Sequence, residues 1–274
     1  MLINPKAKAA LTLLLAINLF NYIDRYILSA TIAGIESDLL RNHSPDNKKA
    51  LLGILATCFM ASFMIFAPIF GIFCTKIKRW HLIGYGVIFW SLASGLSGLS
   101  GTVAKLNEGS TISGLPVGII MAFVGSYAFL ALTRCMVGVG EAAYGPIAPT
   151  ILSDLYPEKN RGMIMSIFYG AIPVGSALGY AFGGIAGWPN AFYWVIPPGI
   201  LLGVLCFLMP EPEIGAQESS HLPPKKIQIK DALILLKTPS IIFNILGMTA
   251  NTFAIGGIAY WFPYYVSIFR QNGT

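Results

Sequence analysis

Charge is what this sequence has least of. Of 274 residues only 11% are Asp, Glu, Lys or Arg, against roughly 25% in soluble domains. So few charges cannot solvate the surface of a chain that is 55% hydrophobic with a mean hydropathy of +0.68. The composition therefore reads as a polytopic membrane protein. Cysteine is scarce as well. Cys58, Cys74, Cys135 and Cys206 lie in or at the ends of apolar segments without paired spacing. That excludes a disulfide framework and zinc, haem or iron–sulfur spacing, and no metal or cofactor is expected. HExxH, GxSxG and paired intramembrane aspartates are missing, so no enzyme is expected. The net charge of +6 is spread over short loops between apolar runs, as the positive-inside rule places it. It is not a nucleic-acid footprint. No cleavable signal peptide is expected, because the first apolar run carries Asn18, Asn21, Asp24 and Arg25.

What is present is a series of apolar runs. A membrane span needs about 20 such residues. The pattern predicts seven spans, near 9–33, 51–74, 80–100, 122–152, 162–185, 190–209 and 240–268. The fourth is long, and 115–125 before it reads as an extra turn or an interfacial piece. Residues 36–50 and 101–114 read as polar loops, and 75–79 and 153–161 as short basic or mixed ones. This divides the chain into a bundle of six spans over 1–209, a linker over 210–239 and a seventh span within 240–274. In the linker, Ile227, Ile229, Leu233 and Leu236 alternate with Lys225, Lys226, Lys230, Asp231 and Lys237, the pattern of a short surface-lying helix or of a plain linker.

Positive charge orients the chain. With the N-terminus inside, the cytoplasmic set is Lys6, Lys8, Lys76, Lys78, Arg79, Lys159, Arg161, Lys225, Lys226, Lys230 and Lys237. The outside set is Arg41, Lys48, Lys49, Lys105 and Arg270. That balance favours an N-terminus in the cytoplasm and a C-terminus outside. A cell-surface (inner) membrane is the expected location rather than an organelle.

Charges within the spans are the exception that points to function. One at the bilayer centre costs at least ~2.5–3.5 kcal/mol on insertion scales. Arg134 and Glu141 lie seven residues apart in one span. They fall on one helix face, roughly 10.5 Å apart along its axis. The first span carries Asn18, Asn21 and Arg25 on one face, with Asp24 beside them. At 1.5 Å per residue, Asp24 lies roughly 6 Å past the midpoint of its span and Arg134 a similar distance before the midpoint of its own, antiparallel span. An Asp24–Arg134 pair is therefore geometrically possible, with Arg25 as a competitor. Such a group of charges suits proton coupling or an anion site: an anion that engages the arginine releases the carboxylate to take a proton. In the fifth span Tyr169, Pro173, Ser176 and Tyr180 form a stripe suited equally to a cavity wall or to the bundle core. Gly175, Gly179 and Gly183 form a second stripe, suited to close helix packing. Pro173 is expected to bend or open that helix.

Several runs resemble those of a known superfamily. Gly71-Ile-Phe-Cys-Thr75-Lys76-Ile-Lys78-Arg79, Arg134-x-x-x-Gly138-x-Gly140 and the Pro173–Gly184 stretch resemble motifs of the major facilitator superfamily. NYIDRY (Asn21 to Tyr26), RCMVGVGEAAYGPIAPTILSDLYP (Arg134 to Pro157), FYGAIPVGSALGYAFGG (Phe168 to Gly184) and TFAIGGIAYWFPYY (Thr252 to Tyr265) resemble its spinster branch, transporters of sphingolipids and lysolipids. The resemblance implies an all-α membrane protein: the six-helix N-terminal bundle of the major facilitator fold plus one further transmembrane helix. It implies alternating access by rocking of two six-helix halves, with Asp24, Arg134 and Glu141 lining the cavity; Asp24, Arg25, Arg134 and Glu141 are the candidate coupling charges. Asn18, Asn21, Tyr144, Tyr169, Ser176 and Tyr180 are the candidate cavity lining, and Gly71, Thr75, Lys76 and Arg79 the gate motif. The implied cargo is a lipid-like amphiphile or an organic anion, a sugar acid being the small alternative, with protons and membrane lipids as the other partners. Thr75 stands where the superfamily's gate motif has aspartate and Lys78 where it has glycine, which weakens the expected latch. One helix stands where the superfamily's second half has six, so a truncated chain is expected. The alternatives are that the missing half is a separate polypeptide, that two copies pair, or that the chain is an inactive or regulatory half-transporter.

Overall fold

A computed structural model describes residues 5–107, 125–217 and 237–270. The described residues are helical without strands: α1 (Pro5–Ala30), α2 (Ile32–Leu39), α3 (Pro45–Phe73), α4 (Arg79–Asn107), α5 (Ser126–Ala142), α6 (Ala148–Leu155), α7 (Glu158–Ala186), α8 (Asn190–Tyr193), α9 (Ile196–Phe207) and α10 (Pro239–Tyr265), the last followed by a π-helical turn, Val266–Arg270. The chain divides into two compact units, Met1–Glu218 and Ser219–Thr274.

Six helical stretches are long and apolar enough to cross a membrane: α1, α3, α4, α7, the α8–α9 stretch and α10. The protein is a multi-pass membrane protein. The expected fourth span, 122–152, is not one helix. It is divided at Ala143–Ile147 into α5 and α6. Pro146 and Pro149 have no N–H to give to the carbonyls of Ala142 and Gly145. The chain tightens instead, with Tyr144 N–H and Gly145 N–H both donating to the Glu141 carbonyl at 2.9 and 3.0 Å. The sixth span is divided likewise at Trp194–Val195, ahead of Pro197 and Pro198. The third span runs on to Asn107, past the expected start of a polar loop at 101. The expected extra turn at 115–125 falls outside the described residues apart from Gly125, the residue before α5. The surface-helix pattern of 225–237 falls outside them apart from Lys237. Pro173 does not end its helix: α7 runs through it from Glu158 to Ala186.

In the first unit α1 packs along α7, α5 lies between α3 and α4, and α9 lies on α4. Glycine sets how close these helices come. A Cβ at Gly179 would stand 2.6 Å from the Ile23 carbonyl and one at Gly175 2.7 Å from that of Leu19. The backbones of α1 and α7 therefore touch, as the small-residue stripe predicts. Gly86 and Gly140 do the same for α4 and α5. Above these contacts lies a core of Leu14, Ile17, Val87, Trp80, Trp90, Ile147 and Ile151, all 2% exposed or less. In the second unit α10 buries none of its own residues.

Candidate functional site

The breaks and close approaches together place a polar group inside the first unit. Asn18, Asn21 and Asp24 lie on the buried face of α1. Arg25, one residue on, is turned about 100° around the helix. The two neighbouring charges therefore meet different surroundings.

Arg25 faces a cavity of roughly 150 Å³ lined by Asn18, Asn21, Tyr22, Arg25, Phe63, Glu141, Tyr144, Gly145, Phe168 and Tyr169. Its Nη2 donates to Glu141 Oε2 in a close ion pair. Its guanidinium also lies over the rings of Tyr22 and Phe59, at 5.1 and 4.9 Å. Glu141 Oε1 is buried without a hydrogen-bond partner among the described residues. The cavity wall is held by polar side chains that fasten helix to helix. Asn18 Nδ2 donates to the Phe168 carbonyl at 2.8 Å, and the Tyr144 hydroxyl donates to the Leu14 carbonyl at 2.9 Å. Tyr144 and Gly145 reach the cavity because the chain turns there instead of continuing α5. The cavity therefore owes its floor to Pro146 and Pro149.

Asp24 and Arg134 are behind this cavity, not on its wall. Asp24 is fully buried and its Oδ1 accepts a hydrogen bond from Ser94 Oγ at 2.5 Å. Arg134 Nη2 donates to Ser97 Oγ at 2.6 Å and, at 3.4 Å, to Ser94 Oγ. Its guanidinium lies 5.1 Å from the centre of the Phe192 ring. Ser94 thus stands between Asp24 and Arg134. The shared face of Arg134 and Glu141 is divided in the same way: Glu141 reaches the cavity and Arg134 reaches the serines of α4. Ser176 and Tyr180 also lie outside the cavity wall. Ser176 Oγ bonds back to the Ile172 carbonyl at 2.9 Å, and the Tyr180 ring meets Tyr26 at 4.9 Å.

The gate motif lies at the other end of α3 and the start of α4. Gly71 has open space around it, and Thr75 is exposed and bonds its hydroxyl to the Ile72 carbonyl at 2.8 Å. Lys76 is exposed. Arg79 alone of the four is buried. It donates to Asp154 Oδ2 at 2.5 Å, Glu211 Oε1 at 2.7 Å and the Pro212 carbonyl at 2.9 Å. Asp154 Oδ1 in turn accepts from the Gly215 N–H at 2.9 Å. This cluster ties the segment after α9 to α4 and α6 without using Thr75. Among the described residues no group of His, Cys, Asp or Glu is arranged to hold a metal.

Residues 14–273 match the profile of the Major Facilitator Superfamily. The chain belongs to that superfamily. It is 33% identical over 257 residues to the "Sphingosine-1-phosphate transporter SPNS2" of Danio rerio, covering 91% of this chain and 45% of that protein. It is 35% identical over 259 residues to "Protein spinster homolog 1" of Homo sapiens, covering 90% of this chain and 43% of the relative. The chain thus spans less than half the length of these relatives. Among solved structures it is similar to a bacterial homolog of the human lysosomal transporter Spinster, inward-facing and unoccupied. There the TM-score is 0.71 at 21% identity, over 96% of this chain and 56% of that one. The inward-open xylose transporter XylE from E. coli follows with a TM-score of 0.62 at 19% identity, over 93% of this chain and 56% of that one. These two likenesses show the major facilitator fold.

The sequence alone did not single out Tyr22, Phe63 and Phe168, which line the cavity, or Ser94 and Ser97, which stand behind it. The aromatic residues are indistinguishable in pattern from lipid-facing ones. The serines do leave a signal: Ser91, Ser94, Ser97 and Ser100 recur every third residue along α4, and all are fully buried.

Proposed function

We propose that this chain forms the cargo-binding bundle of a secondary transporter for an amphiphile with an anionic head, coupled to protons. The observation that carries this reading is the Arg25–Glu141 pair in an aromatic-walled cavity within membrane-spanning helices. Glu141 is the buried member of the pair, and a buried charge is stable only while its partner stays. An anionic head that takes the Arg25 guanidinium strips Glu141 of its partner, and a desolvated carboxylate without a partner binds a proton. Anion and proton then enter together, and neither is held well alone. A cavity of roughly 150 Å³ suits a phosphate or carboxylate head, and the tail lies along the apolar helices. Asn18, Asn21 and Tyr169 orient the head, and Asp24 with Arg134 set the charge behind it.

The similarity to a protein named as a sphingosine-1-phosphate transporter supports a single-chain lipid phosphate over a sugar acid. Within such a reading the chain is a carrier and not an enzyme. Alternating access uses two bundles that rock about the site, so a second bundle facing the cavity belongs to the working unit. The Arg79–Asp154–Glu211 cluster fits a cytoplasmic brace, with the N-terminus inside and the protein in the cell-surface membrane.

The test is reconstitution into liposomes with labelled sphingosine-1-phosphate, with and without a pH gradient. Uptake that rises with the gradient and is lost in Arg25→Ala is the expected result. Binding without uptake favours the regulatory half-transporter. Neither binding nor uptake removes this reading.

A further inference from the structure

Four serines of α4, Ser91, Ser94, Ser97 and Ser100, form a buried hydroxyl row through the middle of the first unit. Three of them turn their hydroxyls back to their own helix. Ser91 donates to the Val87 carbonyl at 2.7 Å and Ser100 to that of Ser97 at 2.6 Å. Ser97 reaches the Ala93 carbonyl at 3.1 Å as well as Thr133 Oγ1 at 2.8 Å. This back-bonding is what buried helix serines ordinarily do. Ser94 does otherwise: its hydroxyl goes across to Asp24 on α1, and its oxygen accepts from Arg134 on α5.

A hydroxyl has one proton to give and two lone pairs to offer. In this arrangement the proton goes to Asp24 and one lone pair to Arg134. Such a bond from Ser94 favours the ionised carboxylate. When Asp24 takes a proton, that bond is no longer favoured over the one Ser94 can make to the carbonyl of Trp90, four residues back, as its neighbours do. The change in Asp24 is then felt at Arg134 through one shared oxygen. The second carboxylate oxygen of Asp24 is buried with no hydrogen-bond partner among the described residues, so among them the Ser94 hydroxyl is the side chain that hydrogen-bonds this carboxylate.

We propose that Ser94 is a positioning residue that links the protonation of Asp24 to the placement of Arg134, behind the cargo cavity. The proposal deepens the reading of the site as a proton-linked anion site, and rests on it for its purpose in transport. The charged groups within electrostatic reach of Asp24 are Arg134 and Glu141 on α5 and Arg25 on its own helix. Any of them can move a titration, so the test must isolate Ser94.

The experiment is an infrared pH titration of the full chain in lipid nanodiscs, with no cargo present. The C=O band of protonated Asp24 is identified by its loss in Asp24→Asn. Ser94→Ala removes a hydrogen bond to the charged form, so the midpoint of that band moves toward higher pH by about one unit. Ser91→Ala, one turn away in the same row, leaves the midpoint in place, and Ser94→Thr restores it. Arg134→Gln moves the band in the wild-type background, and by less when Ser94 is already alanine, because part of its effect passes through that link. Equal midpoints in Ser94→Ala and Ser91→Ala overturn the proposal. So does an Arg134 effect of undiminished size in the Ser94→Ala background, or the lack of any band removed by Asp24→Asn. The titration needs no cargo, so failure of sphingosine-1-phosphate uptake leaves its result standing, and its failure leaves the uptake result standing.

Discussion

Asp24 and Arg25 are adjacent in sequence and separate in their surroundings. One is enclosed by Ser94 and has no exposed surface. The other faces the cavity and pairs with Glu141. Helix geometry alone accounts for the division, since successive residues differ by about 100° around the axis. The pair in the cavity yields a prediction at this scale. Arg25→Ala leaves the buried Glu141 carboxylate without its partner, at a cost of about 1–3 kcal/mol, and lowers the thermal unfolding midpoint. Adding Glu141→Gln to Arg25→Ala removes the stranded charge and recovers most of that loss, while cargo binding stays absent. Thermal unfolding of the single and double variants in detergent checks this. A double variant no more stable than Arg25→Ala would mean that the ion pair does not hold these helices.

At the scale of elements, the site exists because helices stop or touch where they do. Gly175 and Gly179 bring α7 against the backbone of α1, so that Asn18 can bond the Phe168 carbonyl. Gly179→Val places methyl groups where a Cβ already stands 2.6 Å from the Ile23 carbonyl. Forced apart, the helices lose about 1–3 kcal/mol, and the yield of folded protein falls. Gly170→Val on the same helix has no neighbour within 4 Å and serves as the control in a thermal-shift comparison. The glycine stripe was legible in the sequence as a packing face. The break between α5 and α6 was not, because hydropathy counts Ala142 to Ala148 as apolar whatever the backbone does. Yet Pro146 and Pro149 were visible there. Two prolines three apart cost a helix two of its hydrogen bonds, and this one yields to a turn that carries Tyr144 to the cavity.

The whole molecule adds direction and a partner. α3 carries the chain from the 40–44 loop to the 74–78 loop, so those loops lie on opposite sides of the membrane. If the positive-inside balance orients the chain, Lys76→Cys is labelled by an impermeant thiol reagent only after permeabilisation, and Asn42→Cys is labelled in intact cells. Both are placed in a background where Cys58, Cys74, Cys135 and Cys206 are replaced. The reverse pattern would invert the orientation. The membrane class, the location of most spans, the helix-packing glycines and the superfamily could be read along the chain. All of these follow from local composition and short-range spacing, which the bilayer and the helix period translate directly into structure. Which charge meets which was settled by the packing of the helices. Glu141 belongs to Arg25, Arg134 to the serines of α4, and Arg79 to Asp154 and Glu211. Those partners lie 37 to 132 residues apart in the chain. Their pairing depends on the rotation and register of packed helices, quantities that glycine contacts and proline breaks set in three dimensions and that no spacing along one helix encodes.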